Sequence, residues 1–585
     1  MSTWVSQLPI TKFFTNYAKL LTSSPKTIKQ DIIAGITVSL VAIPQALAYA
    51  QLAGVPAYYG LYAALIPTIV GALFGSSRQL STGPVAMTSL LTAASVAPFA
   101  MHGSEMFYSY VILLALLSGL FQVLFGALRM GVLLNFLSHP VLMGFINAAA
   151  LIIGLSQLPT LLGISAKQSE HFLIDIWHVI SHIDTMHELS VAFGLTAILM
   201  LLSLKKLAPK FPGVLITVVL LTFVSYMIGY SEMGGKVVGL VPQGLPSISM
   251  PLLDWQATRM LLPAAFIIAL ISFMEAMSSA KVIAIKTRQP WDENKELIGQ
   301  GLAKIAAAFS HSMPVSGSFS RSALNLATNA QTGFSSVVSA IFVLLTLLFF
   351  TSLLFHLPKP VLAAVIIMAV IGLINFRAII NAWRASRDDG ISAIVTFLTT
   401  LAFAPNIQNG IITGIILSLA LLLYRMMQPR VASLGIHSDG TLRDAQRHNL
   451  PPLSPKLGAI RFDGALRFVN VSYFEDALLT LERKNPTVRY ILVKCDGINY
   501  LDASGVEMLS SLITRFKNND ITIGFSGLKK QVQEVMDKTN LSQSIGQDNI
   551  FATDQEAFDK LHARGVIDSK IDLTTQQNSI HLLPD

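Results

Sequence analysis

Apolar residues run in stretches of about twenty, parted by short polar turns, from Asp31 to roughly Gln428. Each stretch is long enough to cross the hydrocarbon core of a bilayer as a helix. About fourteen are expected; the first covers 31–53, the third 80–98, the eighth 259–284, the tenth 317–331 and the last 408–428. After Pro429 the pattern changes. Residues 429–455 carry Gly435, Asp439-Gly440 and Pro451-Pro452 and read as a polar linker. Beyond them the apolar runs 457–461, 490–494 and 521–525 alternate with helical stretches 471–484, 504–518 and 528–538. That is the β/α order of a small α/β domain, placed at 456–565. Residues 1–30 are expected as a cytoplasmic lead-in, 31–428 as the membrane domain and 566–585 as a disordered tail.

Composition narrows the class. Of 585 residues, 52% are hydrophobic and 13% charged, about half the charge content of a soluble protein. The net charge of +8 does not point to nucleic acid, because the basic residues flank the apolar stretches. With the N-terminus inside, Arg78, Arg129, Lys205, Lys286, Arg377 and Arg384 fall in inner loops. The outer loops hold few basic residues, chiefly Lys167, Lys236 and Lys359. This asymmetry predicts a multi-pass protein of a bacterial-type inner membrane with both termini cytoplasmic. The single Cys495 excludes a disulfide within the chain, and no spacing of Cys or His makes a metal site. Neither cofactor nor enzyme chemistry is expected.

Two stretches are broken where they begin, the third at Thr82-Gly83-Pro84 and the tenth at Pro314 and Gly317. Gln45 in the first stretch matches Glu275 in the eighth, and Pro84 matches Ser318. The matched positions lie seven stretches apart, an odd offset, so the two halves are inverted relative to each other. Broken helices in inverted halves point to a substrate site near the bilayer midplane.

The tenth stretch holds Arg321 among Ser316, Ser318, Ser320 and Ser322. A guanidinium at the bilayer centre costs several kcal/mol and therefore faces a cavity or a partner charge. On a helix Ser318, Arg321, Ser322, Asn325 and Asn329 share a face. A helix starting near Ser318, and another starting after Pro84, would aim free N–H groups and positive dipole ends at the midplane. Together with one arginine they make an anion site. The competing reading is that Arg321 pairs with a carboxylate to hold the bundle together.

Glu275 is the carboxylate nearest the middle of any stretch, with Ser272 and Ser279 on its helical face. A carboxylate in an apolar medium can carry a proton near physiological pH. Proton coupling is favoured, sodium coupling is the rival, and a static Glu275–Arg321 pair is the plain alternative. In the first stretch Pro44 frees a carbonyl and Gln45 offers a donor and an acceptor, to a ligand or to its own helix.

Pro44-Gln-Ala-Leu-Ala-Tyr-Ala-Gln-Leu-Ala-Gly54, Gly60-Leu-Tyr62, Gly83-Pro-Val-Ala86 and Pro314-Val-Ser-Gly-Ser-Phe-Ser-Arg321 resemble the sulfate permease family of anion transporters. Leu501-Asp-Ala-Ser-Gly505 resembles the loop of a STAS domain. The resemblance implies a uracil-permease-like α-helical fold of seven plus seven inverted segments, with core and gate domains and an appended STAS domain. It implies that Gln45, the amides near Val85 and Ala86, and Ser318, Phe319, Ser320 and Arg321 contact the substrate. Glu275, with Ser272 and Ser279, would couple a cation, and two chains would form a homodimer. Ser504 is the position open to phosphorylation, although loop geometry before a helix N-terminus also accounts for the motif.

The expected function is proton-coupled symport of a small anion by alternating access, sulfate first. Sodium-coupled bicarbonate symport, C4-dicarboxylate transport, and exchange or channel conduction are the alternatives. A membrane-tethered regulator whose STAS domain binds a cytoplasmic protein is a third class.

Overall fold

The computed structural model describes residues 24–131, 138–164, 172–207, 212–404, 406–568, 571 and 573. Most of the expected lead-in therefore lies outside the described residues, as do Lys167 and the tail from Thr574. The chain forms two compact units that divide between Ser418 and Leu419.

In the first unit every expected membrane stretch contains a helix. Among the described residues, eight helical stretches are long and apolar enough to span a bilayer, and Ala86–Val96, Gly213–Ile228 and Phe334–Phe349 are shorter apolar helices. The first helix, α1 (Pro25–Leu52), starts before Asp31 because Ser24 caps it, accepting from Thr27 N at 3.3 Å, and Pro25 fits the first turn. The elements that frame the candidate site follow in order: β1 (Ser81–Gly83), α2 (Ala86–Val96), α3 (Glu105–Ala127), α4 (Trp255–Thr287), α5 (Glu293–Phe309), β2 (Ser316–Ser318), α6 (Phe319–Ala327) and α7 (Phe334–Phe349).

Lipid supplies no hydrophobic drive between helices, so close approach of backbones does the work. A Cβ on Gly119 of α3 would stand 2.8 Å from the Gly301 carbonyl of α5. Two buried carboxylates tie distant ends together. Asp31 accepts from Gln331 N at 2.7 Å and from the Thr332 hydroxyl at 2.5 Å. Glu296 accepts from Ser76 N at 2.9 Å and Ser77 N at 2.8 Å. These bonds satisfy backbone groups that no helix or strand could reach.

The second unit is a six-stranded sheet in the order β4-β3-β5-β6-β7-β8. Its strands are β3 (Val431–Ile436), β4 (Leu442–Asp444), β5 (Leu457–Phe462), β6 (Tyr490–Lys494), β7 (Thr522–Ser526) and β8 (Ile550–Phe551). Strands β5 to β8 run parallel, and β3 pairs antiparallel with both β4 and β5. Helices Val471–Lys484, α8 (Ala503–Asn518) and Lys530–Lys538 occupy the stretches read as helical.

Two expectations are corrected here. Residues 429–455 are not a free linker, because Ala432 and Leu434 are buried as part of the sheet. Nor does the tail start at 566. Ile567 and Leu573 are buried with Leu442, Phe558 and Leu561, and Leu573 N donates to Gln555 Oε1 at 2.5 Å. Four apolar residues, Val566, Ile567, Ile571 and Leu573, cover one face of the sheet that the strands alone leave open.

Candidate substrate site

The site begins with a two-stranded ribbon of three residues a side. β1 and β2 pair antiparallel in the register Ser81↔Ser318, Thr82↔Gly317 and Gly83↔Ser316. Each strand leads into a short helix, so the N-termini of α2 and α6 are set by the same ribbon. Side chains fix it further. Ser81 N donates to Ser322 Oγ at 2.9 Å, Asn325 Nδ2 to Gln79 O at 3.2 Å, and Thr68 Oγ1 to Thr82 O at 2.8 Å.

At the start of α2, Val85 is the N-cap and makes no side-chain cap bond. Val85 and Ala86 are both buried, so the first N–H groups of α2 lie in a dry setting without a capping oxygen. α6 differs, because Ser318 Oγ accepts from Arg321 N at 3.4 Å and stands 3.3 Å from Ser320 Oγ. Phe319 and Ser320 are exposed, whereas Ser318 is buried. Asn329 does not join the polar face of α6. The helix ends at Ala327, and Asn329 adopts a left-handed backbone with φ of 59°.

Arg321 is 2% exposed. Its Nη1 donates to Pro84 O at 2.9 Å and to Gln45 Oε1 at 3.5 Å, and its Nε donates to Ser81 Oγ at 3.3 Å. The guanidinium thus ties α1, β1 and α6 together. Nη2 is buried and has no hydrogen-bond partner among the described residues. It lies against Gly83, where a Cβ would stand 3.0 Å from it. No salt bridge joins Arg321 to a carboxylate among the described residues, so the pairing alternative lacks its bond.

Glu275 is half-buried on α4, and its Oε2 is buried without a hydrogen-bond partner among the described residues. Ser272 and Ser279 share its helix face, but neither hydroxyl reaches the carboxylate. Ser279 Oγ donates to the Glu275 carbonyl at 3.2 Å, and Ser272 Oγ donates to Ile268 O at 2.5 Å.

The sequence reading missed Lys304. It is fully buried on α5 and donates to Gln122 Oε1 at 2.8 Å. Gln122 Nε2 in turn donates to Ala269 O at 2.8 Å and to Ser272 Oγ at 3.0 Å. Ser316 Oγ donates to Ser272 O at 2.7 Å. A polar chain therefore runs from Lys304 through α3 and α4 to the ribbon that holds Arg321. Ser504, the regulatory candidate of the second unit, is half-buried in the first turn of α8. That helix is capped by Asp502, whose Oδ1 accepts from Gly505 N at 2.9 Å.

A desolvated arginine beside paired helix starts, inside a multi-pass helical unit, is the arrangement expected of a membrane transporter of anions. Comparison with known proteins names the family. The sulfate permease family profile matches residues 28–396, and the STAS domain profile matches residues 452–557. A probable sulfate transporter of Arabidopsis thaliana is 33% identical over 548 residues, spanning 90% of this chain and 80% of that protein. The murine solute carrier 26 family member A9 anion transporter, solved inward-facing, superposes with a TM-score of 0.87 at 19% identity, covering 95% and 94% of the two chains. The transmembrane domain of a cyanobacterial bicarbonate transporter superposes with a TM-score of 0.57 at 20% identity, covering 68% of this chain and 98% of that one. The chain belongs to the sulfate permease family, with a C-terminal STAS domain.

Proposed function

We propose that the chain is a proton-coupled symporter of sulfate, working by alternating access in a bacterial-type inner membrane. In this reading fourteen segments between residues 31 and 428 form two inverted sets of seven. Both termini are cytoplasmic, the STAS domain spans about 456–565, and two chains associate. The anion lies between the N-termini of α2 and α6, within reach of Gln45, the Val85–Ala86 amides, Ser318, Phe319, Ser320 and Arg321. Glu275 carries the proton that offsets part of the substrate charge.

The observation that supports this most is Nη2 of Arg321, a buried cationic donor with no protein acceptor among the described residues. Such a group is costly unless a ligand completes it. Sulfate is favoured over bicarbonate because the relative at 33% identity is named a probable sulfate transporter, whereas the likeness to the bicarbonate transporter is one of fold.

Proteoliposomes loaded with a pH dye test the reading. Adding sulfate outside should acidify the lumen, and the signal should vanish in Glu275→Gln. Arg321→Ala should lose labelled sulfate uptake altogether. Uptake that follows an imposed sodium gradient with no proton movement would assign Glu275 to a cation site instead. Proton movement driven by succinate but not sulfate would assign a dicarboxylate substrate.

A further inference from the structure

Further along the two helices that carry Gln45 and the α2 amides, the fold opens a cavity of about 570 Å³. Its lining includes Gln51 near the end of α1, Leu90 and Ala94 on α2, His102, Thr160 and Lys359. Gln51 lies six residues beyond Gln45, roughly 9 Å along the helix axis. None of the lining residues is acidic. Gln51 Nε2 is buried and lacks a hydrogen-bond partner among the described residues. Lys359 is held at the rim by backbone bonds. Its N–H donates to Lys236 O at 2.9 Å, and Val238 N donates to Leu357 O at 2.9 Å. These bonds fix the backbone of Lys359 beside that of Lys236.

We infer that this cavity is an outer waiting site, in which a hydrated divalent oxyanion rests against Lys359 and Gln51 Nε2 before it moves inward to Arg321. The assignment of the cavity to the outer face rests on the topology of the proposed function. The volume holds on the order of twenty waters, so the ion keeps its hydration there and sheds it only at the inner site. Such a site acts by electrostatic focusing between low-dielectric walls, raising the local anion concentration. Its effect therefore falls on capture from outside and is screened by salt.

Two measurements on the full-length chain test this. In a Cys495→Ser background, Ala97→Cys places a thiol on the cavity lining. Its rate with an anionic methanethiosulfonate, relative to a cationic one, should exceed the free-thiol ratio by about tenfold. Lys359→Gln should return the ratio to the free-thiol value, and Lys359→Arg should preserve it. In vesicles of defined orientation, Lys359→Gln should raise the KM for external sulfate about threefold or more, leaving the maximal rate and the KM for efflux unchanged. A free-thiol ratio in the unaltered cavity, a ratio indifferent to Lys359→Gln, or a KM that moves equally on both faces would each overturn the inference. A wild-type chain that moves no sulfate overturns the proposed substrate instead, while the reagent ratio still decides whether this cavity gathers anions.

Discussion

Lys304 makes a single side-chain hydrogen bond among the described residues, to an amide, and that makes it the most informative residue after Arg321. A fully buried ammonium with one bond to Gln122 Oε1 carries a desolvation cost that a neutral side chain would avoid. Lys304→Gln can keep a bond to Gln122 while removing the charge; Lys304→Met removes both. We expect both variants to lose initial sulfate uptake by about tenfold or more per molecule in the membrane, equivalent to about 1.4 kcal/mol. If only the Met variant loses uptake, the bond matters and the charge does not. Gly83→Ala tests the guanidinium from the other side, because its Cβ would come within 3.0 Å of Nη2. It should raise the KM for sulfate severalfold at near-normal protein yield, read from concentration-dependent uptake. Arg321 was legible in the sequence because a charge inside a Ser-rich, broken apolar stretch must meet a cavity or a counter-charge. Lys304 was not, since it sits in a stretch that starts with Glu293, Lys295 and Glu296 and so resembles the polar end of a helix. Its partner Gln122 lies 182 residues away.

At the scale of elements, the helix starts could be read and their pairing could not. Gly83-Pro84 and Pro314 with Gly317 mark where α2 and α6 begin, through conformations that a helix cannot continue. The ribbon between them consists of Ser, Thr and Gly, which carry little strand signal, and its partners are more than 230 residues apart. The same holds for β3, whose polar surroundings hid a strand that its pairing with β4 and β5 fixes. Packing can be tested in each unit. Gly119→Val would drive a Cβ into the Gly301 carbonyl and the Ile305 N–H. Separating α3 from α5 should cost about 1–3 kcal/mol and lower the detergent-solubilised melting midpoint by several degrees. In the STAS unit, Asp502→Ala removes the α8 cap and the bond that Asp502 Oδ2 accepts from Phe468 N at 2.8 Å. Losing the cap costs about 1 kcal/mol. The chain's own Cys495 reports the result, because it is fully buried and burial, followed by the charges of Asp496 and Asp554, pushes its thiol up. Maleimide should label it only through local opening, about fivefold faster in Asp502→Ala than in the wild type. Equal rates would mean that the cap does not support the segment around Cys495.

For the whole molecule, the bonds between distant segments and the distribution of basic residues support the proposed topology. Asp31 at the start of α1 holds Gln331 and Thr332, and Glu296 at the start of α5 holds Ser76 and Ser77. In a chain with its N-terminus inside, all four of these ends fall on the inner side. Val237 bridges Pro358, and the Ser95 hydroxyl donates to Gln408 Oε1 at 3.1 Å; those ends fall on the outer side. The bonds alone do not say which side is inside, because they would be the same in a chain inserted upside down. In the proposed topology Lys205, Lys286, Arg377 and Arg384 share a face with Asp31 and Glu296, and the excess of basic residues there supports an inner assignment for that face. In a Cys495→Ser chain, a cysteine in place of Lys236 should react with an impermeant maleimide on intact cells. A cysteine in place of Lys286, exposed near the end of α4, should react only after the membrane is permeabilised. The reverse pattern would invert the molecule and would place the Lys359 cavity on the cytoplasmic face. Labelling of both positions on intact cells would break the alternation of segments between them, and with it the inverted relation of the two halves.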